Sequence, residues 1–313
     1  MDSAPLFRYH DDSFGDQNDS ADRSLSSASG NASLEVIRSP QNATIRRLAA
    51  LRNHRRRRAS GSLLVDGPRE TLRALEAGIH LLGFYEPWSD SEGWSTGPPE
   101  LQLVRERAQD LGRHHAVSAQ AFAKIKYGGG SDRCVAEMKV PSRTFDDLPN
   151  PPRGLVLVLD GVEKPGNVGA VFRTADAAGV DAVMLSDCPC DVWNPNAVRA
   201  SLGAVFTVPH ATGTADQVAD RLLQWRIPVL AMRVEAADSL YECELDNQAA
   251  VILGSEAGGL NDRWTQIGGG TIGGIMLPML GQIDSLNVSV SAAVVAYEAL
   301  RQRLSAELPP PPS

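Results

Sequence analysis

The sequence predicts an α/β protein whose C-terminal half holds a mostly parallel sheet, preceded by a smaller α/β domain. Residues 155–159 are continuously apolar, as strands buried on both faces of a parallel sheet are. Similar short apolar runs recur at 182–185, 229–232, 251–253 and 275–277, with helical stretches between several of them. This alternation is typical of an open sheet that is covered by helices on both faces.

The composition limits the class of protein. The 313 residues are enough for about two domains, and 42% of them are hydrophobic, which is ordinary for a globular protein. The net charge of −8 argues against a protein coated in positive charge, although local patches decide nucleic-acid binding. The sequence contains no apolar run long enough for a membrane span and no signal-peptide pattern, so we expect a soluble cytoplasmic protein.

Four cysteines are present, and only Cys188 and Cys190 lie close together in the sequence. A zinc site needs about four ligands, usually from two such pairs. We therefore expect reduced thiols and no metal site.

The N-terminal half begins with a polar segment, 1–32, that has few large apolar residues and predicts a disordered tail. A folded domain is predicted over 33–140, and its first helix starts after residues 39–42. The other predicted elements are a strand at 62–66, a helix from Pro68, a strand at 81–85, a polar loop at 86–99, a helix at 101–111 and a strand at 135–140. A proline-rich linker, 141–153, then leads to a second domain, 154–304, and a disordered tail, 305–313.

A one-sided run of positive charge lies early in the N-terminal domain. No Asp or Glu occurs between Glu35 and Asp66. A run of charged residues is usually a solvated helix face. Because this run contains only positive charges, contact with RNA phosphates is favoured. The predicted RNA contacts are Arg46, Arg47, Arg52, Arg55, Arg56, Arg57 and Arg58, with Lys124 and Lys126 beside Tyr127 as a second region. A simple loop tip at 128–130 is an equal alternative for that second region.

The first polar motif of the second domain is Asp-Gly-Val-Glu-Lys-Pro-Gly-Asn-Val-Gly, residues 160–169. A helix is predicted to begin near Asn167, and Arg173 follows within two helical turns, so both side chains can approach one pocket rim. Gly166 and Gly169 allow a ligand or another backbone to come close. Taken alone, the motif fits an ordinary strand-to-helix turn at least as well.

The second motif runs from the apolar strand at 251–253 into Gly254, Ser255 and Glu256, followed by two glycines. A carboxylate beside a glycine loop suits a ligand hydroxyl or amine, or a partner arginine, although a solvated turn is equally compatible. The motif differs from the Gly-x-Gly-x-x-Gly fingerprint, so a nicotinamide-dependent oxidoreductase is disfavoured.

The third motif, Ser-Leu-Asn-Val-Ser at 285–289, opens the last predicted helix, 286–304. Ser285 and Asn287 are candidate N-caps of this helix, because their side-chain oxygens can accept from its first backbone N–H groups. A capped helix explains one polar residue, but it leaves the rest of the cluster unexplained.

Together the three motifs resemble the signature motifs of the SpoU, or TrmH-like, branch of the SPOUT methyltransferase superfamily. The resemblance covers nearly all of 154–304 and depends most on 160–169 and 285–289. The N-terminal domain is similar, more loosely, to the substrate-binding domain often attached in front, through 39–42 and 65–68. The resemblance implies a deep trefoil knot, a homodimer, and S-adenosylmethionine-dependent methylation of a ribose 2′-hydroxyl in ribosomal or transfer RNA.

The resemblance also implies the site residues. Arg173 is the group nearest the nucleophile, with Asn167, Glu256, Ser285 and Asn287 around it. The implied cofactor contacts are Leu253, Gly254, Gly258, Met276, Leu277, Met279, Ser285, Leu286 and Asn287. A general-base role for Arg173 is physically awkward, because a guanidinium has a pKa above about 12. We therefore favour a role in which Arg173 holds an RNA phosphate and stabilises alkoxide charge.

Two alternatives share the same fold. One is a non-catalytic RNA-binding protein, which is disfavoured because all five candidate catalytic residues are present. The other is methylation of a base, which is disfavoured by the Asn167 and Arg173 pairing and by the motif at 285–289. The N-terminal domain favours ribosomal over transfer RNA as the substrate, and the modified nucleotide stays open.

Overall fold

The computed structural model describes residues 35–128, 133–255, 258–260 and 262–307. The predicted tail at 1–32 lies outside these residues, as do 308–313 of the predicted C-terminal tail. The N-terminal strands are β1 (Val36–Ile37), β2 (Ser62–Asp66), β3 (Leu81–Ser89), β4 (Gly93–Trp94), β5 (His114–Val117) and β6 (Val135–Lys139). The helices among them are α1 (Ala43–Ala50), α2 (His54–Ser60), α3 (Pro68–Glu76), α4 (Pro99–Asp110) and α5 (Ala119–Ile125).

The N-terminal strands form a mixed sheet in the order β1-β5-β3-β6-β2, with β4 paired to β3. The prediction of a polar loop at 86–99 is wrong for its first residues. Strand β3 continues to Ser89, and the chain then turns back to form β4, which pairs with β3. Trp88 and Trp94 pack edge to face across this hairpin, with ring centroids 4.8 Å apart. This packing of two half-buried rings stabilises a hairpin in a segment whose polar sequence predicted a loop.

The C-terminal part is built on a second sheet. Its strands are β7 (Leu155–Asp160), β8 (Ala182–Ser186), β9 (His210–Gly213), β10 (Val229–Met232), β11 (Asp238–Ser239), β12 (Ala249–Leu253) and β15 (Gly273–Met276), with a small hairpin of β13 (Gln266–Ile267) and β14 (Gly270–Thr271). Its helices are α6 (Pro165–Ala178), α7 (Pro195–Ala200), α8 (Ala204–Thr207), α9 (Ala215–Trp225) and α10 (Val288–Glu307).

The seven strands follow the order β11-β15-β10-β12-β7-β8-β9, and each neighbouring pair is parallel. Every residue of β7 and β12 is buried. Alternate residues of a strand point to opposite faces, so Leu157 joins a cluster with Phe172 and Val295, while Val158 joins another with Leu222. The predicted parallel α/β sheet with helices on both faces is thus confirmed.

The last helix begins at Val288 and continues to Glu307, into the segment predicted as a tail. The predicted linker also contains ordered structure, a 3₁₀-helix at Phe145–Asp147. The Asp147 carboxylate accepts hydrogen bonds from the backbone and the hydroxyl of Thr144, and Phe145 packs against the cluster around α9. These contacts hold the connection against the second sheet.

Residues of both sheets contribute to one buried apolar cluster. Leu63 and Val65 of β2 belong to it together with Val198, Val205 and Phe206 from the α7–α8 region. Accordingly, residues from Glu35 onward form one compact unit.

His210 should make stability depend on pH. It is 1% exposed, contacts Phe172 and Trp193, and its Nδ1 pairs with the carbonyl of Val208 at 3.0 Å. Burial lowers the pKa of His210 from 6.5 to about 4. Between pH 6.5 and about pH 4, His210 is therefore protonated in the unfolded chain but neutral in the folded protein. The free energy of unfolding consequently decreases as pH falls through this window.

Urea unfolding at about pH 7 and about pH 4.5 checks this expectation. When the pH is lowered from about 7 to about 4.5, the free energy of unfolding should decrease in wild type by about 2 kcal/mol more than it decreases in His210→Leu. His80→Asn, which changes an exposed histidine, is the control and should behave as wild type. Equal losses in wild type and His210→Leu would contradict the assignment.

Candidate active site

The parallel strands β7, β10, β12 and β15 end at the same edge of the sheet, where ligands bind in open α/β folds. The loops after β10, β12 and β15 enclose a cleft of about 260 Å³ at this edge. Its lining residues are Met232, Arg233, Val234, Leu253, Gly254, Ser255, Gly259, Leu277, Met279, Asp284, Ser285, Leu286, Val288 and Ser291.

Many predicted cofactor contacts lie in this cleft. The predicted residues among its lining are Leu253, Gly254, Leu277, Met279, Ser285 and Leu286. Gly258, Met276 and Asn287 are not part of the lining, and Glu256 lies outside the described residues. Met232, the last residue of β10, and the next two residues, 233–234, also line the cleft and were missed. The available signal was the end of the apolar run at 229–232, since β10 lies between β12 and β15 in the parallel sheet.

The loop after β12 is tightly folded, which explains Gly254. A Cβ at Gly254 would lie 2.3 Å from the carbonyl carbon and oxygen of Gly259 and 2.6 Å from the backbone nitrogen of Leu260. Gly259 has a positive φ of 59° and its N–H donates to the carbonyl of Ser255 at 3.0 Å. Gly254 is therefore required by the close approach of the loop's own backbone.

The first and third motifs meet at the start of α10. Asn287 Nδ2 donates to Asn167 Oδ1 at 3.3 Å, although the two residues are 120 positions apart. The Oδ1 of Asn287 accepts from the backbone N–H of Ser289 at 2.9 Å, so Asn287 caps the helix as its residue type predicted. The hydroxyl of Ser285, the other candidate cap, instead donates to Asp284 Oδ1 at 3.5 Å.

Arg173 is exposed on α6 and stands outside the lining of the cleft. Its helix begins at Pro165, two residues before the predicted start near Asn167. The structure thus brings Asn167 to Asn287 and leaves the Arg173 guanidinium facing solvent. Gly169 serves helix packing, because a Cβ there would lie 2.4 Å from the carbonyl oxygen of Ala197 in α7. Gly166 has open space around it.

A partly buried polar network, which includes Asp160 of the first motif, lies at the ends of β7 and β8. The Ser186 hydroxyl donates to Asp160 at 2.5 Å. Arg263, from the segment after β12, approaches Asp160 at 3.4 Å and Asp187 at 2.6 Å. The network anchors the segment that follows the cleft-lining loop to the middle of the sheet.

The cysteines in this region are free. Burial raises the pKa of Cys188 to about 11 and that of Cys190 to about 12, so both thiols stay protonated at neutral pH.

Within the described ranges, no cluster of three or more His, Cys, Asp or Glu side chains could hold a metal ion. None of the helices in those ranges is both long and apolar enough to cross a membrane.

The predicted RNA contacts divide into two groups. Arg46, Arg55, Arg56, Arg58 and Lys124 are exposed, and Lys126 is half-buried. Three arginines are engaged by carboxylates instead, since Arg47 pairs with Glu137, Arg52 with Asp66 and Arg57 with Asp191.

Arg57 requires a correction. It is 2% exposed, and its charge is already paired with Asp191, so it cannot present a guanidinium to RNA. Arg52 is similarly occupied, because its guanidinium also donates to the carbonyl of Ile125. Neither residue therefore belongs to the RNA-contacting set, while Arg47, whose side chain is 51% exposed, stays a prediction.

Comparison with known proteins gives one consistent family. The family description "SpoU rRNA Methylase family" matches residues 154–297. A "23S rRNA (guanosine-2'-O-)-methyltransferase RlmB" of Xanthomonas axonopodis pv. citri is 39% identical over 216 residues, which cover 66% of this chain and 86% of that protein.

Solved structures agree over most of the described chain. A crystal structure of an RNA 2'-O ribose methyltransferase has a TM-score of 0.74 and 35% identity, covering 86% of this chain and all of that one. The SpoU methyltransferase AviRb from Streptomyces viridochromogenes, solved with AdoMet, has a TM-score of 0.73 and 23% identity over 85% of this chain and 99% of its own. Because the sequence identity to AviRb is only 23%, this second similarity supports the fold alone.

Proposed function

The chain belongs to the SpoU rRNA methylase family, and we propose that it methylates a ribose 2′-hydroxyl of ribosomal RNA with S-adenosylmethionine as methyl donor. The observation that carries the proposal is the meeting of the first and third motifs, through Asn167 and Asn287, beside a cleft at the carboxyl edge of the sheet. The relative named as a 23S rRNA ribose methyltransferase favours ribosomal over transfer RNA. Ribosomal RNA as the substrate also supports a cytoplasmic location for the protein.

The lining of the cleft fits S-adenosylmethionine. Leu253, Leu277 and Leu286 provide apolar contacts for an adenine ring, while the Ser255 and Ser285 hydroxyls and backbone groups provide polar ones. Asp284 adds a carboxylate at the rim, suited to a positively charged amino or sulfonium group. When bound, this cofactor supplies an electrophilic methyl group.

Protein groups position the ribose hydroxyl and stabilise its charge. The Asn167–Asn287 contact fixes the first turn of α6 relative to the start of α10. Arg173, farther along α6, faces solvent and offers the five N–H donors of a guanidinium. It holds an RNA phosphate and stabilises the negative charge that develops on the 2′-oxygen as its proton leaves to phosphate or water.

Two further features of the proposal concern assembly and topology. Two of the three loops that enclose the cleft, those after β12 and after β15, are the segments that would form the trefoil knot. Val290, Tyr297 and Leu304 recur at seven-residue intervals along α10 and are exposed. Such an apolar stripe fits a second copy of the chain, which supports a homodimer.

Methyl transfer to an in vitro transcript of 23S ribosomal RNA tests the proposed function. The transcript is incubated with the protein and radiolabelled S-adenosylmethionine, and the product is mapped for 2′-O-methyl groups by resistance to alkaline cleavage. We expect methylation at a single ribose, with little transfer to a transfer RNA mixture. Label on a base, or no transfer to either RNA, would overturn the proposal.

The exposed arginines of α2 should make RNA binding dependent on salt. Removing one arginine that binds an RNA phosphate should reduce the slope of log K against log salt concentration by about 0.7 to 0.9. Changing Arg55, Arg56 and Arg58 together to alanine should therefore weaken binding and flatten this slope, as measured by fluorescence anisotropy. Arg107→Ala, which changes an exposed arginine on α4, is the matched control. Identical slopes for the triple variant and wild type would show that these residues do not bind RNA.

A further inference from the structure

The Arg57 side chain points into the protein although its neighbours in α2 are exposed. Its Nε and Nη2 donate to Asp191 Oδ2 at 3.0 and 2.5 Å. Its Nη1 donates to the carbonyl oxygens of Leu51 and Arg52 at 3.0 and 2.9 Å. Each guanidinium nitrogen thus has a protein partner, and the carboxylate partner belongs to the C-terminal part of the chain.

Asp191 is part of the turn that starts α7. Its Oδ1 accepts from the backbone N–H of Trp193 at 3.0 Å, and its carbonyl accepts from the N–H of Asn194 at 2.9 Å. Asn194 then caps α7 by accepting from the backbone N–H of Asn196. The ion pair therefore holds the ordered start of a helix.

Helix α7 packs directly on the helix that carries Asn167 and Arg173. A Cβ at Gly169 of α6 would lie 2.4 Å from the Ala197 carbonyl oxygen and 2.7 Å from the Ala200 Cβ. Gly169 lies between Asn167 and Arg173 in the sequence. Any displacement of α7 is thus transmitted to the segment of α6 that bears both residues.

The surroundings of the ion pair leave little freedom. Besides the shared apolar cluster, a Cβ at Gly203 would lie 3.2 Å from the Cα of Glu70, so α3 closely approaches the residue before α8. A second ion pair, Arg73 with Asp176 at 3.5 Å, joins α3 to α6, and both of its side chains are over one-third exposed. Arg57 with Asp191 is the more buried of these two links.

We propose, on the premise that the protein methylates RNA, that the Arg57–Asp191 ion pair is a positioning element that selects the methylated nucleotide. Arg55, Arg56 and Arg58 flank Arg57 on α2 and are exposed. A phosphate that they bind is held at a fixed distance from the reactive site, because the ion pair joins α2 to the start of α7 and α7 packs closely on α6. A buried ion pair suits this role, since in some proteins buried charged groups specify one geometry, and the loss of one partner leaves the other charge buried and unpaired.

The test uses the full chain, S-adenosylmethionine and the 23S ribosomal RNA transcript. The variants are Arg57→Met, Asp191→Asn and the exchange Arg57→Asp with Asp191→Arg. Asp191→Asn keeps the side chain's shape and its bond to Trp193, so it provides a folded variant should Arg57→Met fail to fold. Arg73→Met is the control, because it removes a largely exposed ion pair at the same joint, which should contribute little. Melting temperature, Kd for RNA, kcat and the methylated positions are measured for each variant.

We expect Arg57→Met and Asp191→Asn to keep the Kd for RNA while kcat at the target falls by about 100-fold, as for a small misplacement of reacting groups. Methyl groups should also be found on neighbouring nucleotides. The exchanged pair should recover part of the kcat, and Arg73→Met should match wild type.

Two results would oppose the proposal, and they have different meanings. Methylation confined to one nucleotide in every folded variant, with activity that follows only the folded fraction, would show that the ion pair is merely structural. Absence of methylation by wild type would instead refute the proposed function. The wild-type reaction therefore separates the two failures.

Discussion

Replacement of Arg173 by alanine is expected to lower kcat by about 100- to 1000-fold, the usual loss when one donor to a developing oxyanion is removed. Arg173 lies on α6, whose first turn is joined to the third motif through Asn167 and Asn287. Because Arg173 is exposed and outside the cleft lining, the variant should retain its melting temperature and its affinity for S-adenosylmethionine. Multiple-turnover methylation of the RNA transcript, thermal unfolding, and calorimetry with the cofactor provide these measurements.

The Arg173→Lys variant separates the two chemical roles. A general base must lose its proton, and lysine has a pKa near 10.4 while that of arginine exceeds about 12. If Arg173 were the base, the pH–rate profile of the lysine variant would shift to lower pH. If Arg173 holds phosphate and stabilises charge, the profile keeps its shape and the rate falls, because lysine lacks the planar fork. Full activity with an unchanged profile would remove any special role for the guanidinium.

Substitution of Gly254 by alanine is expected to weaken S-adenosylmethionine binding by about 10- to 100-fold, through overpacking of the loop. The added methyl carbon would overlap the backbone of Gly259 and Leu260, which cannot rotate away as a flexible side chain can. The loop after β12 would therefore open, and it forms one wall of the cleft. Calorimetric titration with S-adenosylmethionine measures the change.

Gly281→Ala is the matched control for this substitution. Gly281 lies in the loop after β15, and a Cβ there would meet no atom within 4 Å. It should bind the cofactor as wild type does. Equal affinities for Gly254→Ala and wild type would show that the cofactor binds elsewhere, because the loop at 254–260 could not then shape its pocket.

Much of the C-terminal fold could be predicted because its signals are local. Continuous apolar runs marked β7 and β12, whose residues are all buried. Asn287 was predicted as a helix cap because a short polar side chain before an apolar stretch can satisfy the first N–H groups of a helix. The cleft loops were located in the same way, since ligands bind beyond the carboxyl ends of parallel strands.

The edges of elements were harder to predict, because tertiary packing decides them. β3 continues through Pro87 since its tryptophan packs against the one in β4. The loop after β10 lines the cleft because β10 lies between β12 and β15, an order that no local pattern contains. Residues 232–234 therefore had no motif that would mark them as part of a site.

By itself the sequence determined the class of fold, the three motifs and the strand ends that bear them, because periodicity, turn residues and caps act over a few neighbouring positions. Only the tertiary structure decided which arginines of α2 face solvent. Arg56, Arg57 and Arg58 are consecutive and chemically identical, yet Arg57 alone among them is buried. Its partner, Asp191, lies 134 positions away, and burial of a charge depends on whether folding brings such a partner within hydrogen-bond distance.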